Sequence, residues 1–282
     1  MKEENWFPVF HVPHDVSSFP EELMDTVCVP LSEFFRYHEK MRDAKVQEMV
    51  PEEYRKSGQS VIFLVSRLLC DVERFIGPEE VMERYGMGFC YEKAYDGTVI
   101  KNLTEKAKKI VMPYYLRHHA LLDRICSEHS AVILFDLHSF SDEIVPKDFL
   151  RAGTGTPDVC IGADPVYTPL CLAALAEKTF QDAGFTTELN YPYSGCMIPN
   201  AVLSGNCVCS LVSVMIEINR RVFLDAEDRP DMDQLGKLRS LIRHIAADWL
   251  EQGSVKQHLT STPERCDSIF LQGPEKSNTW LS

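Results

Sequence analysis

Six short apolar runs, separated by longer stretches of helical periodicity, constrain this chain more than any other feature. The runs are Val9–Val12, Val61–Val65, Ala131–Leu137, Val159–Gly162, Thr186–Leu189 and Val212–Ile218. Most are bounded by Gly, Pro or polar residues, as buried strands are. Between them, Leu31–Met49 reads as one or two helices and Leu103–Ser127 as a long amphipathic helix with a bend expected at Pro113. Pro169–Ala183 reads as a helix stopped by Gly184, and Met232–Glu251 as another that ends before Gly253. Strands alternating with helices predict an α/β fold with a largely parallel sheet. At 282 residues the chain is expected to form a single domain, with a loosely packed polar tail over about 254–282.

Composition narrows the function classes. Twenty-nine basic residues against 42 acidic ones leave a formal net charge of −13. A chain so acidic repels phosphate backbones, so nucleic acid is not an expected partner. Its most basic segment is Lys106–Lys109, which on a helix is a solvated face. No apolar run is long enough to span a membrane, so no membrane partner is expected. The first ten residues, MKEENWFPVF, lack the basic-then-apolar order of an export signal. Ten cysteines without a CxxC pair read as reduced thiols, with Cys207 and Cys209 on one face of a strand. The expected compartment is the cytoplasm; oligomeric state is not legible in the sequence.

In a mainly parallel sheet, ligands bind beyond the carboxyl ends of the strands. The residues found there are polar in an unusual combination. His11 and His14 flank Pro13 after the first run, and Ser66-Arg67 follows the second. The third run leads into Asp136-Leu137-His138-Ser139, where period-two alternation puts Asp136 and His138 on one face. A carboxylate beside an imidazole fixes its tautomer, as around metal-bound histidines. Arg67 and Arg74 flank Asp71 and Glu73, giving guanidinium forks suited to carboxylates, or else an internal ion-pair network. Glu217 stands inside the apolar Val214–Ile218 segment, where an unpaired carboxylate is costly, and Asn219 and Arg220 follow it.

Taken in order, these segments resemble the N-formylglutamate amidohydrolase family, zinc-dependent hydrolases distantly akin to zinc carboxypeptidases and aspartoacylases. The resemblance runs from about residue 9 to residue 225. It is carried by PHDVSSFP (13–20), MRDAKVQEMV (41–50), SRLLCDVER (66–74), DLHSFSD (136–142), DVCIGAD (158–164), NYPYSG (190–195) and IEINRRVF (216–223). The sequence departs from the family pattern at Asp15, where Ser is common, at Glu73, where Asn is common, and at Cys196.

The resemblance implies a mixed, mainly parallel sheet with helices on both faces and one Zn²⁺ at its carboxyl edge. It implies His14 and His138 as metal ligands, with a carboxylate as the third. Asp43, expected to open a helix, is favoured for that place over Asp15, Asp71 and His11. His14 plus three is Ser17, so the His-x-x-Glu pair of carboxypeptidases is absent. Glu217 is then the general base. Arg67, Asp71, Arg74 and Asn219 bind a substrate that bears a carboxylate. The implied reaction is hydrolysis of an N-acyl amino acid, by family precedent N-formyl-L-glutamate to formate and glutamate. Two other readings remain: a different zinc amidase, acting on peptidoglycan or another acyl amide, and a non-catalytic, ligand-binding descendant. Glu73 is the residue expected to change substrate choice.

Overall fold

The computed structural model describes residues 5–16, 18–77 and 79–251. The expected tail lies outside them. Six strands form one sheet: β1 Phe7–Val12, β2 Ser60–Ile62, β3 Ala131–Phe140, β4 Val159–Gly162, β5 Thr187–Leu189 and β6 Ser210–Asn219. Their order is β2-β1-β3-β6-β4-β5. The first four in that order run parallel, while β4 meets β6 antiparallel and carries β5 parallel to itself. The sheet is therefore mixed and mainly parallel, as expected.

The helices are α1 Leu31–Met41, α2 Val46–Met49, α3 Glu52–Lys56, α4 Glu105–Glu128, α5 Leu170–Asp182, α6 Asn200–Leu203 and α7 Met232–Glu251. Helix α4 opens on Thr104, whose hydroxyl accepts from the Ala107 N–H at 3.1 Å, and it continues through Pro113. Beyond α5, Gly184 takes φ +92°, the left-handed turn that a side chain resists.

Alternation along the central strands sorts their side chains onto two faces. Phe10, Val12, Ile133, Phe135, Leu137, Val214 and Ile216 pack in one core with Leu235, Leu238, Ile242, Ile245 and Trp249 of α7. On the opposite face, Val9, Val132, Leu134 and Leu211 pack with Leu122, Ile125 and Cys126 of α4. Phe135 anchors the larger core. It is fully buried, and its ring centroid lies 4.9 Å from that of Phe10 and 5.4 Å from that of Trp249. Truncating such a ring loses its transfer energy and leaves a cavity, at about 3–5 kcal/mol. Phe135→Ala should lower unfolding stability by that amount in a urea titration; a loss under about 1 kcal/mol would show that this layer does not carry the fold.

One strand boundary differs from the sequence expectation in a way that matters. The third strand does not stop at the last apolar residue. β3 continues through His138 to Phe140 beside β6, which holds Glu217 as expected, so that His138 and Glu217 are register partners on adjacent strands. The ladder needs only backbone N–H and C=O groups, so a polar side chain does not end it. Asp43 does not open a helix either. It lies in the loop between α1 and α2, where its N–H donates to the His14 carbonyl at 3.0 Å.

Candidate metal centre and its surroundings

The sheet face that buries Val9, Val132, Leu134 and Leu211 turns polar toward the carboxyl ends of its strands. Continuing the same parity, it carries His11 on β1, Asp136 and His138 on β3, and Glu217 on β6. His11 stands opposite Asp136 in register, and His138 opposite Glu217. All four are buried. The loop after β1 adds His14, and the loop after β2 adds Arg67, Asp71, Glu73 and Arg74.

Asp43 lies between the two expected histidine ligands. Its Oδ2 is 2.9 Å from His138 Nδ1 and 3.5 Å from His14 Nδ1, while its Oδ1 accepts from Arg67 Nη1 at 3.0 Å. The far nitrogens of both rings face carboxylates. His14 Nε2 donates to Asp71 Oδ1 at 2.9 Å, and His138 Nε2 is 3.1 Å from Asp136 Oδ1. His14 Nδ1 is buried and has no hydrogen-bond partner. A carboxylate on the far nitrogen fixes an imidazole so that the near nitrogen presents a lone pair, the arrangement of metal-bound histidines. His14, His138 and Asp43 thus have the donor chemistry for a divalent ion. The groups here whose ligand atoms lie close enough to share one ion include Asp43, His138 and Glu217, with Glu217 Oε2 3.8 Å from His138 Nδ1, and His14, Glu73 and His138.

The electrostatics follow from burial and these pairings. Burial opposes ionisation of Asp43, but Arg67 and the two imidazoles outweigh it and hold the carboxyl well below the usual range. Asp71 is held low in the same way, with Arg74, His14 and Arg67 outweighing burial. Burial disfavours charge on His138 too, yet the Glu73, Asp136 and Glu217 carboxylates raise its pKa well above the ordinary value. Glu217 behaves differently. Burial pushes it up to about 8, and His138 and Arg67 offset only part of that. It is the one carboxylate at this centre whose affinity for a proton is raised into the neutral range.

The other expected site residues are placed unequally. Arg67 is pinned between Asp43 and Asp71, its two amino groups each 3.0 Å from a carboxylate. Asp71 is fully buried and accepts from His14, Arg67, Tyr91 and the Glu73 N–H. These contacts make Asp71 a positioning group for the His14 ring and Arg67. Asn219 donates from its side-chain amide to Asp142 at 2.7 Å and Thr156 at 3.2 Å and accepts from the Arg221 N–H. Arg74 is looser: its nearest carboxylate, that of Asp71, is 3.7 Å away, and its buried Nε has no partner. Asp15, a rival third ligand, instead caps the turn into α2, accepting from the Lys45 and Gln47 N–H groups and from Arg42.

Several participants were not singled out from the sequence. His118 on α4 has its Nε2 2.8 Å from His11 Nε2. Tyr91 donates to Asp71 at 2.7 Å. Arg220 donates to the carbonyls of Lys40 and Arg42, tying the loop that carries Asp43 to the end of β6. Tyr193, from the NYPYSG segment, packs edgewise on Phe140 and Phe149, and burial and the Glu217 carboxylate push its phenol pKa up. Gly162 lets this segment approach: a Cβ there would overlap the Gly195 carbonyl and the Met215 side chain. A polar residue on the inward stripe of α4 was the available signal for His118; nothing local marks Tyr91.

Known proteins resemble this chain in sequence family and in fold. The family model for N-formylglutamate amidohydrolase matches residues 8–224. No curated protein matches the sequence significantly. Among solved structures, an N-formylglutamate amidohydrolase from Ralstonia eutropha JMP134 superposes with a TM-score of 0.70 at 17% identity, covering 90% of this chain and 96% of that one. A bacteriophage poly-gamma-glutamate hydrolase is similar over 46% of this chain and 57% of its own, with a TM-score of 0.29 and 15% identity. The family match spans most of the chain and contains His14, Asp43, Arg67, Arg74, His138 and Glu217. This chain belongs to the N-formylglutamate amidohydrolase family.

Proposed function

We propose that the protein is a metal-dependent amidohydrolase that cleaves the amide of an N-acyl amino acid, with N-formyl-L-glutamate as the substrate suggested by its family. The observation that carries this reading is His14 Nδ1, a buried imidazole nitrogen with no partner, facing Asp43 Oδ2 beside His138. His14, Asp43 and His138 would hold one Zn²⁺ or a similar divalent ion. The chemistry such an ion supplies when bound is acidification of a water, to a pKa of about 7, and polarisation of the acyl carbonyl.

The chain's own residues do the rest. Glu217, raised by burial, takes the proton from the attacking water and returns it to the leaving amine. Arg74 forks the substrate carboxylate, because its guanidinium, unlike that of Arg67, is not pinned between two carboxylates. Arg67 acts one step removed: it holds Asp43 and Asp71, and through them both imidazoles. Asp136 and Asp71 keep those rings in the tautomer that presents Nδ1. Reduced cytoplasmic surroundings agree with the nine described cysteines, none of which is in a disulfide.

The experiment is an assay of N-acyl amino acids against matched neutral amides, with Arg74→Lys beside the wild type. Lysine keeps the charge and loses the fork, so KM should rise about tenfold or more with kcat nearly unchanged. Equal cleavage of uncharged amides, with Arg74→Lys silent, would sink the carboxylate reading.

A further inference from the structure

Glu73 has no role in the scheme above, and its surroundings are peculiar. Its carboxylate is only 16% exposed and lies among three imidazoles, at 3.3 Å from His138 Nε2, 3.7 Å from His11 Nδ1 and 3.8 Å from His14 Nε2. No hydrogen bond reaches that carboxylate among the described residues. Burying an ionised carboxylate without one is costly, so a positive partner is called for.

We propose that His11 Nδ1, Asp136 Oδ1 and Glu73 Oε1 hold a second divalent cation, on the far side of the His138 ring from Asp43. The proposal rests on the single-ion reading above and adds to it. The three ligand atoms fit one ion: His11 Nδ1 is 2.8 Å from Asp136 Oδ1 and 3.7 Å from Glu73 Oε1, and all three residues fall within one ligand-sized group. Tetrahedral bonds of about 2.0–2.2 Å put ligand atoms roughly 3.3–3.6 Å apart, a spacing that lies between those two separations. One nitrogen and two carboxylate oxygens suit Zn²⁺, Mn²⁺ or Co²⁺ and supply two negative charges.

The neighbours already orient these ligands. Asp136 Oδ2 accepts from the Met197 N–H at 2.9 Å, which holds the carboxylate with Oδ1 turned toward His11 and His138. The 2.8 Å contact between His11 Nε2 and His118 Nε2 needs one proton. If His11 supplies it, Nδ1 is a lone pair pressed against two carboxylates, an arrangement that a cation relieves. If His118 supplies it, His11 Nδ1–H goes to Asp136 and Glu73 Oε1 faces only His138 Nε2, at 3.3 Å. A divalent ion satisfies all three groups together, and the partly exposed Glu73 gives it a way in. The expected single ion per chain becomes two.

The test is metal stoichiometry. Chelator-stripped full-length protein is dialysed against Zn²⁺, and in parallel Mn²⁺, and the bound metal is counted per chain by elemental analysis. The wild type should bind about two ions, and Glu73→Gln and His11→Phe about one each. Circular dichroism checks that the variants fold; Glu73→Gln, at a partly exposed loop position, decides if His11→Phe does not. A wild type that saturates at one ion overturns the second position and leaves the first intact. Two ions in both wild type and Glu73→Gln also overturn it, because the second ion is then held elsewhere. A wild type that binds none overturns this proposal and the metal reading beneath it.

Discussion

Glu217→Gln should lower kcat by about 10²–10⁴-fold while leaving metal content and melting temperature close to those of the wild type. The amide keeps the shape of the carboxylate and its capacity to hydrogen-bond, but it cannot take a proton. Glu217 is nearly buried at the end of β6 and sits 3.8 Å from His138 Nδ1. Burial raises it to about 8. A group raised in this way is protonated as pH falls through its pKa, so the acidic limb of the kcat profile should report it and should vanish in the variant. An unchanged kcat at full metal load would remove Glu217 from the reaction. A lost fold or lost metal would instead make it a structural carboxylate that balances the charge of His138.

His138→Ala should cost more than activity. Both nitrogens of the His138 ring lie within hydrogen-bond distance of carboxylates, Asp43 at 2.9 Å and Asp136 at 3.1 Å, with Glu73 and Glu217 close behind. Removing it takes away a direct ligand. Metal affinity should therefore fall by more than the roughly 10–100-fold that losing an outer partner costs. It also leaves buried carboxylates facing one another, and an uncompensated buried charge costs about 3–5 kcal/mol. Elemental analysis should find the variant metal-poor, and its melting temperature should drop and lose its sensitivity to chelators. A variant with wild-type metal content and melting behaviour would show that neither the ion nor the charge network depends on this ring.

The alternation of apolar runs was enough to locate all six strands, and the resemblance in short motifs was enough to identify the family. Those signals are local: hydropathy of period two and the order of residues along the chain. Hydropathy failed at the end of the third strand, because β3 extends past its apolar residues through His138, held by backbone pairing that side-chain polarity does not disturb. It also misjudged which charged residues are accessible. Arg67 and Arg74 look alike in SRLLCDVER, yet Arg67 is clamped by two carboxylates at 3.0 Å while Arg74 meets one, that of Asp71, at 3.7 Å.

By itself, the sequence determined the α/β class, the sheet-edge position of the chemistry and the candidacy of His14, His138 and Glu217. Only the tertiary structure decided that Asp43, 29 residues beyond His14 and 95 before His138, comes between those two rings. It alone decided that Asp71 and Asp136 stand behind the rings, and that Glu73 faces three imidazoles. The physical reason is that a metal centre is a set of distances of about 3 Å between residues far apart in the chain. Those distances are set by strand register, by the loop that Arg220 ties to β6 and by the packing of α4 on the sheet, none of which has a local signature.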